Sequence, residues 1–147
     1  MAKERTLAII KPEAIKYTGE IIVKILERGF RIVDKRVRRL TLEEAADFYA
    51  EHASSSIFEA LCDCMSSGLI TALVLEKEDA IAEFRKLMGA GNPKEAEKGT
   101  LRYRYAFDLP RPQNAVHGSD SAESALREIK FFFPDISETT PRLLAEP

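Results

Sequence analysis

Thr6-Leu7-Ala8-Ile9-Ile10-Lys11-Pro12 reads as a short buried strand brought to a stop by a proline, which forces the preceding residue out of helical geometry. Ile21, Ile22, Ile25 and Leu26 follow at helical spacing, and Gly29 closes that helix. Residues 30–40 are rich in Val, Ile and Arg, but Phe30, Ile32, Val37 and Leu40 keep no single parity, so the pattern predicts a long strand with a bulge. Thr41 and Glu44 form a capping box, with Leu42, Ala45, Ala46 and Tyr49 on the inner face of the helix behind it. Ser56 and Glu59 read as a second capping box, with Ile57, Phe58, Leu61 and Met65 as its stripe.

Gly68 ends that helix, and residues 69–75 are a third strand. Residues 78–88 form another helix with Ile81, Phe84, Leu87 and Met88 inward and Gly89 after it. From 90 to 114 both periodicities fail, and Gly91, Pro93, Gly99, Pro110 and Pro112 punctuate the stretch. A loop of that length in a compact domain is often functional. Ala115-Val116-His117 restores a short strand, and Ser119-Asp120-Ser121 opens a last helix with Ala122, Ala125, Ile129 and Phe132 inward, stopped by Pro134. This order predicts a ferredoxin-like α+β sandwich: a four-stranded, mainly antiparallel sheet with helices on one face. Residues 1–147 read as one domain, with a core of 1–134 and an irregular tail of 135–147 that wraps a neighbour.

The composition is that of an ordinary globular domain, 45% hydrophobic and 31% charged. A net charge of −2 gives no strong field toward nucleic acid or anionic membrane. The apolar runs reach about seven residues, far short of the ~20 a membrane helix needs, and the start shows no apolar signal core. Cys62 and Cys64 point to opposite sides of a helix and read as reduced packing thiols, which suggests the cytoplasm.

Among phosphate motifs, neither G-x-x-x-x-G-K-S/T nor G-x-G-x-x-G after a strand occurs, and no Cys/His spacing suits zinc. A Ser-His-Asp triad stays open, without a G-x-S-x-G elbow to support it. The chemistry concentrates in Asn114-Ala115-Val116-His117-Gly118-Ser119-Asp120-Ser121, which sets a histidine at the end of a strand just before a capped helix. Neutral imidazole attacks phosphorus and can release the phosphoryl group afterwards. Gly118 beside it reads as room for a substrate.

That segment resembles the N-x-x-H-G-S-D-S of nucleoside diphosphate kinases, and five others fall in the same order. Residues 4–14 resemble the family's opening strand and lysine, Met65-Ser66-Ser67-Gly68 its M-x-S-G turn, and residues 87–93 its L-x-G-x-T-N-P segment. Gly99-Thr100-Leu101-Arg102 resembles G-T-I-R, and Ser124-Ala125-Leu126-Arg127-Glu128-Ile129 resembles S-A-x-x-E-I. The resemblance implies a Mg²⁺-nucleotide substrate, ATP and other nucleoside tri- and diphosphates, and a ping-pong transfer of the γ-phosphate through phosphorylated His117. It assigns phosphate binding to Lys11, Arg85 and Arg102, sugar and phosphate contact to Asn114, and orientation of the histidine to Ser119 and Glu128. Tyr49 matches the tyrosine packed beside the histidine. The metal would be held mainly by nucleotide phosphates, and a homo-oligomer, a hexamer or a tetramer of dimers, is implied.

Several positions depart from the family pattern. Ile57, with Phe58 next to it, stands where many members stack an aromatic ring on the base, and Gly91 replaces a phosphate-binding threonine. Ser54-Ser55-Ser56 replaces charged and proline residues, the 103–113 loop is about two residues longer and the segment after Lys11 about two shorter. These features lean toward the family's divergent branch. An active phosphotransferase and a weakly active nucleotide-binding or scaffold module on the same fold therefore both stay open. A nucleic-acid binder lacks its aromatic pattern here.

Overall fold

The computed structural model describes residues 3–137. Its sheet has four strands in the order β2-β3-β1-β4, where β1 is Glu4–Ile10, β2 Arg31–Arg39, β3 Leu69–Lys77 and β4 Val116–Gly118. All three pairings are antiparallel, so β1 and β2 run the same way with β3 inserted between them, the split arrangement of the ferredoxin-like sandwich. The helices are α1 (Thr18–Glu27), α2 (Leu42–Phe48), α3 (Phe58–Met65), α4 (Ala80–Met88), α5 (Leu101–Ala106) and α6 (Ala122–Phe132). A 3₁₀ turn, Pro12–Tyr17, leads from β1 into α1 and carries its proline in the first turn, where the missing N–H costs nothing.

The helices cover both faces of the sheet, not one. Ala8, Ile10, Leu73 and Leu75 pack with Ile21 and Ile25 of α1, Phe84 of α4 and Leu101 of α5. Leu7, Ile9, Ile70, Ala72 and Val74 pack with Phe48 of α2, Met65 of α3 and Phe132 of α6. The signal was the unbroken burial of residues 70–75, since a strand covered on one face only would alternate.

The bulge in β2 is present. The register shifts between Ile32 and Asp34, and the buried pair Ile32 and Val33 serves the two opposite cores. The Thr41–Glu44 capping box forms with both reciprocal bonds. Within α2 the inner positions are Ala45 and Phe48, followed by Tyr49; Leu42, expected inward, is exposed. The Ser56–Glu59 box does not form. The N-cap of α3 is Ile57, not Ser56, so no side-chain oxygen stands at the cap, and Ser55 accepts the Ile57 N–H. Cys62 joins Met65 on the buried side of α3, and both cysteines are free. Ala122 is exposed at the start of α6, which buries Ser124, Ala125, Glu128, Ile129 and Phe132 instead.

The stretch 90–114 is not one loop. It contains a 3₁₀ turn, Pro93–Glu95, and α5, capped by the Thr100 hydroxyl on the Tyr103 N–H. Of the tail, only residues 135–137 are described; the expectation that it wraps a neighbour lies largely outside the described residues. Among the described residues, no helix is long and apolar enough to cross a membrane.

Candidate active site

β4 is an edge strand, and its register sets His117 opposite Ile9, two residues before Lys11. Lys11 is buried, and its ammonium donates to Asn114 Oδ1 at 2.9 Å. Burial is the main force lowering the Lys11 pKa below its ordinary 10.5; Glu13, 4.0 Å away, opposes that and Arg102 adds to it. Glu13 was not singled out from the sequence, yet it organises this corner. Its Oε2 accepts the backbone N–H groups of Asn114 and Ala115, both at 3.1 Å. Ala115 has φ +73°, a left-handed conformation unusual for a residue with a side chain, and its carbonyl accepts the Lys11 N–H at 2.9 Å. The Glu13 carboxylate thus fixes a sharp turn that faces the Asn114 amide toward Lys11.

Arg102 is buried on α5 and donates to three backbone carbonyls: Gly89 at 3.1 Å, Asn114 at 3.3 Å and Val116 at 3.0 Å. Burial, then the neighbouring charge of Arg85, draws its pKa down to about 10, so it stays cationic at neutral pH. It is both a staple of the site and a source of positive charge. Arg85, on the exposed side of α4, donates to the Gly118 carbonyl at 3.3 Å. The carbonyls on either side of His117 are therefore each held by a guanidinium. Gly118 serves packing and not substrate access, because a Cβ there would lie 2.6 Å from the Phe84 ring and 3.0 Å from Met88 Cε.

The imidazole Nε2 of His117 lies 2.8 Å from Glu128 Oε1, and the buried Ser119 hydroxyl donates to the same oxygen at 2.8 Å. Ser119 is itself fixed by the Leu7 N–H, which donates to its hydroxyl. Against a carboxylate acceptor, Nε2 carries the proton, and Nδ1 keeps the lone pair. The aromatic ring against the imidazole is that of Phe48, at 5.2 Å and 71°, whereas Tyr49 packs against Phe48 and His52. Phe48 thus joins Tyr49, the residue matched from the sequence, on this side of the site, where the Tyr49 phenol feels the charges of Glu13 and Glu128. Tyr49 is buried, and burial, with Glu13 next in effect, raises its phenol pKa so that it stays neutral.

A cavity of about 210 Å³ opens beside Asn114, lined by Ile57, Leu61, Gly91, Pro93, Arg111 and Pro112 among others. Gly91 is tied in by its carbonyl, which accepts the Asn114 amide N–H at 3.2 Å. Phe58 is not part of this cavity. It turns the other way, toward Leu42, Ala46 and Cys62, because α3 begins at Phe58 and Ile57 takes the site side. The sequence reading also missed Arg111, which had no motif to mark it. Among the described residues, no group of three or more His, Cys, Asp or Glu side chains stands ready for a metal. Glu13 and Glu128 are engaged with backbone amides and with His117 and Ser119.

An antiparallel α+β sandwich that sets a histidine–carboxylate pair among buried cations defines a class of domain made to face anions. The chain belongs to the nucleoside diphosphate kinase family, whose sequence profile, described as Nucleoside diphosphate kinase, matches residues 4–137. It is 48% identical over 135 residues to the nucleoside diphosphate kinase of Persephonella marina, covering 90% of this chain and 95% of that one. It is 46% identical over 137 residues to that of Histophilus somni strain 2336, covering 92% and 96%. Among solved structures, the Aquifex aeolicus enzyme superposes with a TM-score of 0.85 at 37% identity, covering 90% of this chain and 96% of that one. A Halobacterium salinarum nucleoside diphosphate kinase in complex with CDP gives 0.84 at 35% identity, covering 91% and 90%.

Proposed function

We propose that the chain carries out its family's phosphate transfer by a ping-pong mechanism in which Nδ1 of His117 holds the phosphoryl group. The observation that carries this reading is the setting of His117: Nε2 is tied to Glu128, and Arg102 and Arg85 hold the carbonyls on either side. The Nδ1 lone pair attacks the γ-phosphorus of ATP or another triphosphate. The bond from phosphorus to the β–γ bridging oxygen breaks, and the diphosphate leaves. In the second half, a terminal oxygen of an acceptor diphosphate attacks the same phosphorus, and the P–N bond electrons return to Nδ1. Glu128 stabilises the positive imidazole of the intermediate, and Ser119 holds the carboxylate in place. Lys11, Arg85 and Arg102 offset the charge on the transferring oxygens.

Asn114 links the two halves of the substrate, because its amide touches Lys11 on one side and Gly91 on the other. The phosphates lie on the cationic side, and the base enters the cavity of Ile57 and Pro112. Mg²⁺ arrives as part of the substrate, ligated by phosphate oxygens and water, the hard ligands it prefers. The exposed apolar side chains of Val23 and Leu26 on α1 and Val37 on β2 support a homo-oligomer, a hexamer or a tetramer of dimers, which sedimentation of the intact protein would size. Two unpaired cysteines fit a reducing compartment such as the cytoplasm.

The test is brief incubation with γ-labelled ATP and Mg²⁺. The label should become protein-bound, acid-labile and base-stable, and should leave on addition of a diphosphate. A folded protein that binds ATP and never labels would instead be a nucleotide-binding scaffold, the reading that Gly91 and Ile57 favour.

A further inference from the structure

We propose that Arg127 is a positioning residue for His117, acting through Glu128 and Phe48; this rests on the phosphohistidine reading above. Glu128 Oε1 receives both His117 and Ser119, which leaves Oε2 to be held by something else. Nη2 of Arg127 lies 3.7 Å from Oε2. The same nitrogen reaches Glu51 Oε1 at 2.5 Å, and Nη1 donates to the Phe48 carbonyl at 3.4 Å. The Phe48 ring is the one set edge-on to the imidazole. One guanidinium therefore joins the two pieces of chain that back His117: α6, which brings the carboxylate, and the end of α2, which brings the aromatic wall.

The plane of a glutamate carboxylate turns easily about its last torsion. Two donors on Oε1 hold one oxygen and leave that plane freer to turn; a positive charge 3.7 Å from Oε2 draws the second oxygen toward α6's own Arg127 and biases the plane. With the plane set, Oε1 stays on Nε2, and Nδ1 stays free and aimed. The plain alternative is a surface ion pair, since the Arg127 side chain is 41% exposed. Its partners argue otherwise, because the Glu128 side chain is 7% exposed and takes part in the reaction. The S-A-x-x-E-I pattern leaves position 127 open, so no motif marks this residue.

The experiment compares Arg127→Met and Arg127→Lys with the intact protein, with and without Glu128→Gln. Arg127→Met should lower kcat about three- to tenfold, the scale of a half-exposed charge contact, and leave nucleotide KM unchanged. Arg127→Lys should recover part of the loss, because it returns charge to Oε2 without the fork. The ¹⁵N spectrum of His117 should move from a single Nε2–H tautomer toward a mixture in Arg127→Met. Combined with Glu128→Gln, Arg127→Met should cost less than it does alone, as expected of groups acting in one chain of contacts. Full additivity with Glu128→Gln, or unchanged kcat and an unchanged His117 spectrum, would overturn the proposal. Failure of the intact protein to label would instead strike the phosphohistidine reading, and the His117 spectrum would still judge Arg127.

Discussion

At Gly91 a Cβ would meet nothing within 4 Å, and the backbone is outside the left-handed region that favours glycine. A threonine there is sterically free, and its hydroxyl would stand beside the Asn114 amide, at the junction between the cavity and the cationic side, within reach of a phosphate held there. Gly91→Thr should tighten diphosphate binding by about 1.5–3 kcal/mol, the worth of a hydrogen bond to a charged group in good geometry. Titration calorimetry checks it; equal affinity in a stably folded variant would remove Gly91 from the phosphate site. Lys11 makes nucleotide binding depend on pH. Burial lowers its folded pKa below 10.5, so the folded chain loses this proton before the unfolded chain does. The cost of burying the ammonium is present at neutral pH and is relieved as pH rises through the folded value toward 10.5. Phosphates favour the charged form, so as pH rises toward 10.5 nucleotide binding should take up a proton. Titrations in two buffers of different ionisation heat should then disagree for the intact protein and agree for Lys11→Met. Agreement for both would contradict the assignment.

Between elements, Glu13 holds the turn that joins the end of β1 to the start of β4. Replacing it with alanine leaves the Asn114 and Ala115 N–H groups without their acceptor and should cost about 2–3 kcal/mol in denaturant unfolding. Nucleotide binding should weaken as well, because the Asn114 amide loses its aim; an unchanged denaturation midpoint would deny Glu13 this role. The sequence showed β1, β2 with its bulge, β3 and β4, because strand periodicity and glycine or proline stops are local. It also showed the histidine, its glutamate and serine, and the three cations, through ordered motifs. It hid α5, whose apolar side Leu101, Tyr105 and Ala106 is short and interrupted by Arg102, a buried cation that periodicity counts as polar. It hid Glu13 because that carboxylate acts on backbone amides about a hundred residues away. It hid the Phe48 ring at the imidazole as well, because the direction of consecutive side chains at a helix end is not set by spacing alone.

Over the whole molecule, the sheet gathers charge at one end of β1 and leaves beside it a cavity with no aromatic ring in its lining. Affinity should therefore come from the phosphates more than from the base. Purine and pyrimidine diphosphates should bind within about 100-fold of one another, roughly 2.7 kcal/mol, by titration calorimetry; a wider gap would mean that the cavity reads the base. The central claim is that His117 carries the phosphoryl group, and the most direct measurement locates that group on the quenched phosphoprotein. Mass spectrometry of peptides from the intact protein should find it on the segment containing His117, and a diphosphate added before quenching should remove it. His117→Ala should bind nucleotide, keep its fold and carry no phosphate. Phosphate found on another residue, or persisting in His117→Ala, would contradict the account.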